Sequence, residues 1–180
     1  MADSNELFSQ IYQQKLAEQV HQGEFKNKIP KPNFLRGGEF CITSSYGDAR
    51  SYNDILGFHN GIDIANKLGD LDTIITAPHD GIVTIRIVNG GECRVGERTI
   101  YYNGSLALEL YNDTFKTVYL HTGSIKVANG SLVKQGQPIA KIGSNGCSIG
   151  NHLHYEIYKG SGDFNYRIEN PDQYVSYKRC

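Results

Sequence analysis

Four histidines and one aspartate stand in three separate stretches of this chain. His59 and Asp63 lie in HNGIDIA, His121 in VYLHTGS, and His152 and His154 in GNHLHYEI. Together they make the donor set of a catalytic zinc centre. Zinc in such centres takes nitrogen and oxygen ligands, three from the protein, and keeps a fourth position open. It also makes water acidic enough to supply hydroxide near neutral pH. Two imidazoles beyond the ligands would serve proton transfer and charge stabilisation. The set implies a zinc-dependent hydrolase.

Spacing says how these side chains could meet. In a strand through HLHYEIY, side chains alternate faces. His152, His154, Glu156 and Tyr158 then share one face, and Leu153, Tyr155 and Ile157 the other. The two histidines would sit roughly 7 Å apart at the backbone, at about 3.3 Å rise per residue. In FKTVYLHT the same alternation puts Phe115, Thr117, Tyr119 and His121 on one face. If that strand neighbours the first, His121 reaches the same cleft. His59 and Asp63 would be about 13 Å apart in a straight strand. Asn60-Gly61 between them is a poor helix former, and glycine permits a bend. A loop is therefore expected to deliver His59 and the following strand Asp63. Glu156 and Tyr119 are expected to orient the ligands. His79 in the turn APHDG and His21 at a helix end read as bystanders.

The elements that must position these groups follow from patterning. Residues 4–22 read as an amphipathic helix, with Leu7, Phe8, Ile11, Tyr12, Leu16 and Val20 at three- and four-residue steps. Asp3 suits its cap and Gly23 its stop. The stretch EFKNKIPKPNFLRGG, with two prolines, reads as a linker or extended arm. Short glycine-punctuated strands are expected near 40–45, 72–77, 81–88, 98–103, 105–111, 115–121, 137–142 and 153–158. The fold class is therefore mostly β: an antiparallel sheet, plus an N-terminal helix. The expected organisation is a helix and linker over 1–34, a catalytic domain over 35–170 and a polar, surface-bound tail over 171–180.

Bulk properties exclude other classes. A net charge of −1 gives no electrostatic case for nucleic acid or an anionic membrane. No apolar run is long enough to span a bilayer. MADSNELFSQ has neither a basic start nor an apolar core, so no signal peptide is expected in this chain. The four cysteines are scattered, form no C-x-x-C pair and select no pairing; most are expected to be free or incidental.

Taken together, these stretches resemble the lysostaphin/LytM-type zinc endopeptidases that cut peptidoglycan peptides. The likeness runs over roughly residues 38–160, through TSSYGDAR, FHNGIDIA, TAPHDGIVTI, VYLH, GSLVKQGQPIAKIGSNGCSIG and NHLHYEI in order. It implies a mostly antiparallel β-fold with a substrate groove across the sheet. It implies one zinc per chain, held by His59, Asp63 and His154, with His121 and His152 as catalytic histidines. Peptidoglycan peptides become the expected partner, and an extracytoplasmic location follows from that substrate. Tyr46, Arg50 and Tyr119 are candidate substrate contacts, with Tyr52 and Tyr155 as further groove-wall tyrosines. HTGS after His121, Asn151 where proline is common, and a long 89–104 stretch depart from the family pattern.

Two other classes share some of these features. A degenerate, non-catalytic LytM-like regulator would lack metal ligands, and here all five positions are filled. A lipoyl- or biotin-carrier hammerhead would share the pattern GSLVKQGQPIA but needs a lysine at the following tip, which here reads GSNG.

Overall fold

The computed structural model describes residues 10, 11, 14, 29–52, 55–69, 72–95, 98–160 and 165–180. The helix expected over 4–22 lies outside these, apart from Gln10, Ile11 and Gln14, which are helical.

The described chain is built of short strands. They are β1 (Leu35–Arg36), β2 (Phe40–Ser44), β3 (Ala49–Tyr52), β4 (Ile55–Phe58), β5 (Ile62–Asn66), β6 (Ile74–Thr76), β7 (Gly81–Val88), β8 (Gly91–Val95) and β9 (Arg98–Tyr102). There follow β10 (Ser105–Tyr111), β11 (Phe115–Leu120), β12 (Thr122–Ile125), β13 (Leu132–Val133), β14 (Pro138–Ile142), β15 (Leu153–Gly160), β16 (Tyr166–Glu169) and β17 (Lys178–Arg179). The larger sheet runs β13-β7-β10-β11-β15-β5-β2-β17, with β16 also on β15. A smaller sheet runs β1-β6-β14-β12, and β3–β4 and β8–β9 are separate hairpins. Every pairing is antiparallel except β17 on β2.

Alternation on β15 fixes the core. Leu153, Tyr155 and Ile157 are buried with Ile62, Ile64, Leu108, Leu110, Tyr119, Ile139 and Phe34. Fully burying an aliphatic or aromatic side chain of this kind contributes about 1.5–3 kcal/mol. Phe34, Tyr119 and Tyr155 stack together, with ring centroids 4.6 Å apart for Phe34–Tyr155 and 5.6 Å for Tyr119–Tyr155. The opposite face of β15 is left for chemistry.

One expectation is corrected. All four cysteines are paired, Cys41 with Cys180 and Cys93 with Cys147. Separations of 139 and 54 residues hid these contacts, which only the folded chain creates. The segment 171–180 is mostly exposed and is bound to the domain at defined points. Tyr174, Val175 and Tyr177 pack on the core, the Tyr177 hydroxyl accepts from the Phe34 and Leu35 N–H groups, and β17 adds a strand to β2. Its polar composition concealed an every-third-residue anchor of tyrosines.

Candidate metal centre and catalytic cleft

Asp63 and His154 are direct register partners across β5 and β15. Their side chains emerge on the face away from the core. His59 follows β4 and precedes the Asn60-Gly61 turn, so a loop residue and a strand residue meet as the spacing required. Gly61 serves a different purpose from the one expected. Its φ is not in the left-handed region. A Cβ there would lie 2.4 Å from the Tyr155 carbonyl oxygen and 3.0 Å from the His154 ring, so glycine is needed for close approach.

Three donor atoms converge. His59 Nε2 lies 2.9 Å from His154 Nδ1 and 3.2 Å from Asp63 Oδ1, and His154 Nδ1 lies 3.1 Å from Asp63 Oδ1. Outer partners fix the rings. His59 Nδ1–H donates to the Ser45 carbonyl at 2.8 Å, so His59 Nε2 presents a lone pair. His154 Nε2–H donates to Glu156 Oε1 at 3.0 Å, and Tyr158 O–H donates to Glu156 Oε2 at 2.7 Å. Glu156 therefore fixes the orientation of the His154 ring. Burial opposes ionisation of Asp63, but the hydrogen bond from His154 and the adjoining His59 imidazole outweigh it and hold the carboxyl far below the usual carboxylate range. Burial likewise opposes charge on His154, yet hydrogen bonds with Asp63 and Glu156 push its pKa up to about 9. A single proton on His154 Nδ1 thus lies between two acceptors, Asp63 Oδ1 and His59 Nε2. A cation in that proton's place would meet three lone pairs from two imidazoles and a carboxylate. That donor set, closed by hydrogen-bonded outer partners, fits zinc.

His121 and His152 stand beside the three. Their ring centroids are 4.7 Å apart, and His121 is 6.2 Å from the His154 ring. His152 Nε2 is 3.7 Å from Asp63 Oδ1. His121 Nδ1–H donates to the Asn145 carbonyl at 2.7 Å, and His152 Nδ1–H to the Gly150 carbonyl at 2.9 Å. Both rings therefore turn Nε2 away from the backbone. Burial pulls the His121 pKa down to about 4, so its imidazole is neutral near pH 7.

The route by which His121 arrives differs from simple alternation. Tyr119 pairs with Tyr155 on the core face, and Leu120 pairs with His154 on the site face. Continued alternation would have sent His121 into the core. Instead β11 ends at Leu120, and His121 adopts φ +61°, the one positive value at a non-glycine residue among the described residues. That left-handed backbone swings the ring back over β15. Such conformations are costly for residues other than glycine and cluster at functional sites.

The five side chains line a cleft of about 400 Å³ with Ser44, Arg50, Cys147, Ser148 and Ile149 among its walls. Arg50 donates Nη2–H to Asp63 Oδ2 at 2.8 Å and to Ser44 Oγ at 2.5 Å. The arginine thus occupies the outer oxygen of the aspartate and leaves Oδ1 for the centre. One expected contact is corrected. Tyr119 is fully buried, its hydroxyl bonded to Thr117 Oγ1 at 2.8 Å, so it neither faces the cleft nor orients a ligand. Tyr46 packs partly buried against the core. Tyr155 is also buried, and the Tyr52 side chain lies outside the described residues.

His79 proves to be a fully buried core residue. Its Nδ1–H donates to the Asp80 carbonyl at 2.8 Å, and Nε2 accepts from Thr117 at 3.1 Å. The chain Tyr119–Thr117–His79 carries that buried polarity, and sequence gave no sign of it.

A mostly antiparallel β-fold thus carries a His-Asp-His cluster with two further histidines beside it. Residues 57–166 match Peptidase family M23, which is more than half of the chain, and the protein belongs to that family. The peptidoglycan DD-endopeptidase ShyB of Vibrio cholerae is 36% identical over 99 residues, covering 55% of this chain and 20% of ShyB. The murein hydrolase activator NlpD of Escherichia coli is 37% identical over 105 residues, covering 58% of this chain and 24% of NlpD. A crystal structure of a zinc-containing peptidase from Vibrio cholerae aligns with a TM-score of 0.51 and 29% identity, over 80% of this chain and 38% of that one. The chain thus spans about a fifth to a quarter of the length of these curated relatives.

Proposed function

We propose that this chain is a zinc-dependent endopeptidase that hydrolyses peptide bonds in peptidoglycan stem peptides or cross-bridges. The observation that carries the reading is the convergence of His59 Nε2, Asp63 Oδ1 and His154 Nδ1 within about 3 Å of one another, with His121 and His152 alongside.

His59, Asp63 and His154 would hold one zinc ion. When bound, zinc supplies Lewis-acid polarisation of the scissile carbonyl and lowers the pKa of water. His121 and His152 do the proton work. Each has Nδ1–H tied to a carbonyl, so each meets substrate through Nε2. One accepts the proton of the attacking water and passes it to the leaving amine as the C–N bond breaks. The other, protonated, donates to the carbonyl oxygen as negative charge develops there. Arg50 carries the remaining charge of Asp63 at the cleft wall, where it also meets substrate.

The cleft is read as part of a substrate groove across the face of β15, within a catalytic domain over 35–170. The substrate places the enzyme outside the cytoplasm, in the periplasm or at the cell exterior. Two disulfides agree with that, because such bonds persist in oxidising compartments.

A second reading, a wall-associated regulator, is favoured by the likeness to an activator, NlpD. All five chemical positions being filled in one cleft supports catalysis instead.

The test is digestion of purified sacculi from two wall types by zinc-loaded protein. New amino groups, with mass spectrometry of the muropeptides to name the bond, are expected. Reducing sugar ends would mean a glycosidase, and no release from any wall would favour the regulator.

A further inference from the structure

The two proton-handling histidines are oriented by one loop, and that loop has little of its own to hold it. Residues 144–151 are closed at the base by a single bridge, Gly143 to His152. From this loop come both orienting carbonyls, Asn145 for His121 and Gly150 for His152. Its one large apolar side chain, Ile149, is 56% exposed, so no core packing anchors it. The loop is otherwise small and polar, with hydrogen bonds among Ser144, Ser148 and Gly150 and from Asn145 Nδ2 to the Thr122 carbonyl. Covalent anchorage comes from Cys147, which lines the cleft and is bonded to Cys93 on β8. Cys93 is buried while its described strand neighbours Glu92 and Arg94 are exposed. The β8–β9 hairpin, which also touches β3, is thus an external brace for the catalytic loop. The three ligands are placed differently: Asp63 and His154 on paired strands, and His59 by Ser45.

We propose that Cys93 and Cys147 are positioning residues, and that their disulfide sets catalytic competence by holding the Asn145 and Gly150 carbonyls against His121 and His152. The inference rests on the endopeptidase reading for its effect on turnover, though not for its effect on the rings. Reduction breaks one S–S bond. A small dithiol supplies two electrons and two protons, leaves as its cyclic disulfide, and both cysteines become thiols. The freed loop then ceases to fix the two rings, while the ligand set stays in place. The protein is competent oxidised and idle reduced, which restricts its action to oxidising surroundings.

The test uses the full chain with zinc bound. Cys93→Ser/Cys147→Ser removes this bond and leaves Cys41–Cys180. Cys41→Ser/Cys180→Ser, treated with dithiol and then reoxidised, isolates the same bond reversibly. Imidazole N–H proton resonances, zinc content and turnover on wall peptides are read together. Loss of the His121 and His152 Nδ1–H signals is expected, with the His59 Nδ1–H and His154 Nε2–H signals and the zinc retained. Turnover should fall by about 100-fold or more, the scale of a displaced acid–base group, and return on reoxidation. Persistence of the His121 and His152 signals, or turnover within a few-fold of the parent, would overturn the proposal. So would loss of all four signals together with zinc, because the bond would then brace the whole fold rather than two rings. If the oxidised parent cleaves no wall peptide, the endopeptidase reading fails by itself, and the ring signals still decide the role of the disulfide.

Discussion

Asp63 and His154 oppose each other across two hydrogen-bonded strands, Oδ1 to Nδ1 at 3.1 Å, so two of the three donors are fixed by sheet register rather than by a loop. Removing either should abolish the centre without unravelling the sheet. Asp63→Ala and His154→Ala are each expected to lose most of the one zinc per chain by elemental analysis, with the β-sheet circular dichroism kept. Full zinc retention in both would remove the assignment.

His121 touches none of the three donors within hydrogen-bond distance and has its own carbonyl partner. His121→Ala should keep zinc and fold yet lose turnover by roughly 10²–10⁴-fold, the usual contribution of a general acid or base. Turnover within a few-fold of the parent would make this histidine a bystander.

The face bearing His154 and Glu156 was legible from the sequence because strict alternation runs unbroken through β15, with both core and site faces populated by the right residue types. The strands near 81–88, 105–111 and 153–158 were legible as short β-prone runs punctuated by glycine and turn residues. His121 shows where that reasoning stops. Period-two alternation put it with Tyr119, and Tyr119 belongs to the core; only a left-handed residue at the strand end reconciles the two. Nothing in HTGS announces that φ. The disulfides and the docking of Tyr177 were illegible because they join segments more than 50 residues apart whose adjacency follows from topology alone. His79 looked like a turn residue since its partners, Thr117 and Asn112, come from other strands and loops.

That buried histidine gives the protein an acid-sensitive element outside the candidate metal centre. Burial lowers the His79 pKa from 6.5 to about 4, so its folded form stays neutral where the unfolded chain takes a proton. A folded pKa below the unfolded one contributes stability that is complete above pH 6.5 and is lost as pH falls toward 4. The drop across that window should be about 3 kcal/mol from this group. Zinc-free parent and zinc-free His79→Gln should be compared by denaturant unfolding at pH 7 and pH 4. The variant is expected to be less stable at pH 7 but to lose less on acidification. Parallel losses in both proteins would show that His79 does not titrate as its burial requires.

Gly61 offers a test of the centre through a residue that donates nothing to it. An added methyl would meet the Tyr155 carbonyl at 2.4 Å and the His154 ring at 3.0 Å, and neither can yield easily. The carbonyl belongs to a central strand, and the ring is pinned by Asp63 and Glu156. Gly61→Ala should therefore cost about 1–3 kcal/mol of stability through overpacking. It should also weaken zinc binding by roughly 10–100-fold, the usual effect of disturbing a ligand's support. Gly91→Ala is the control, since a Cβ there meets nothing within 4 Å. Competition with a chromophoric chelator would measure both. Equal zinc affinity in Gly61→Ala and Gly91→Ala would mean that the approach of this turn to His154 is not what places the ring.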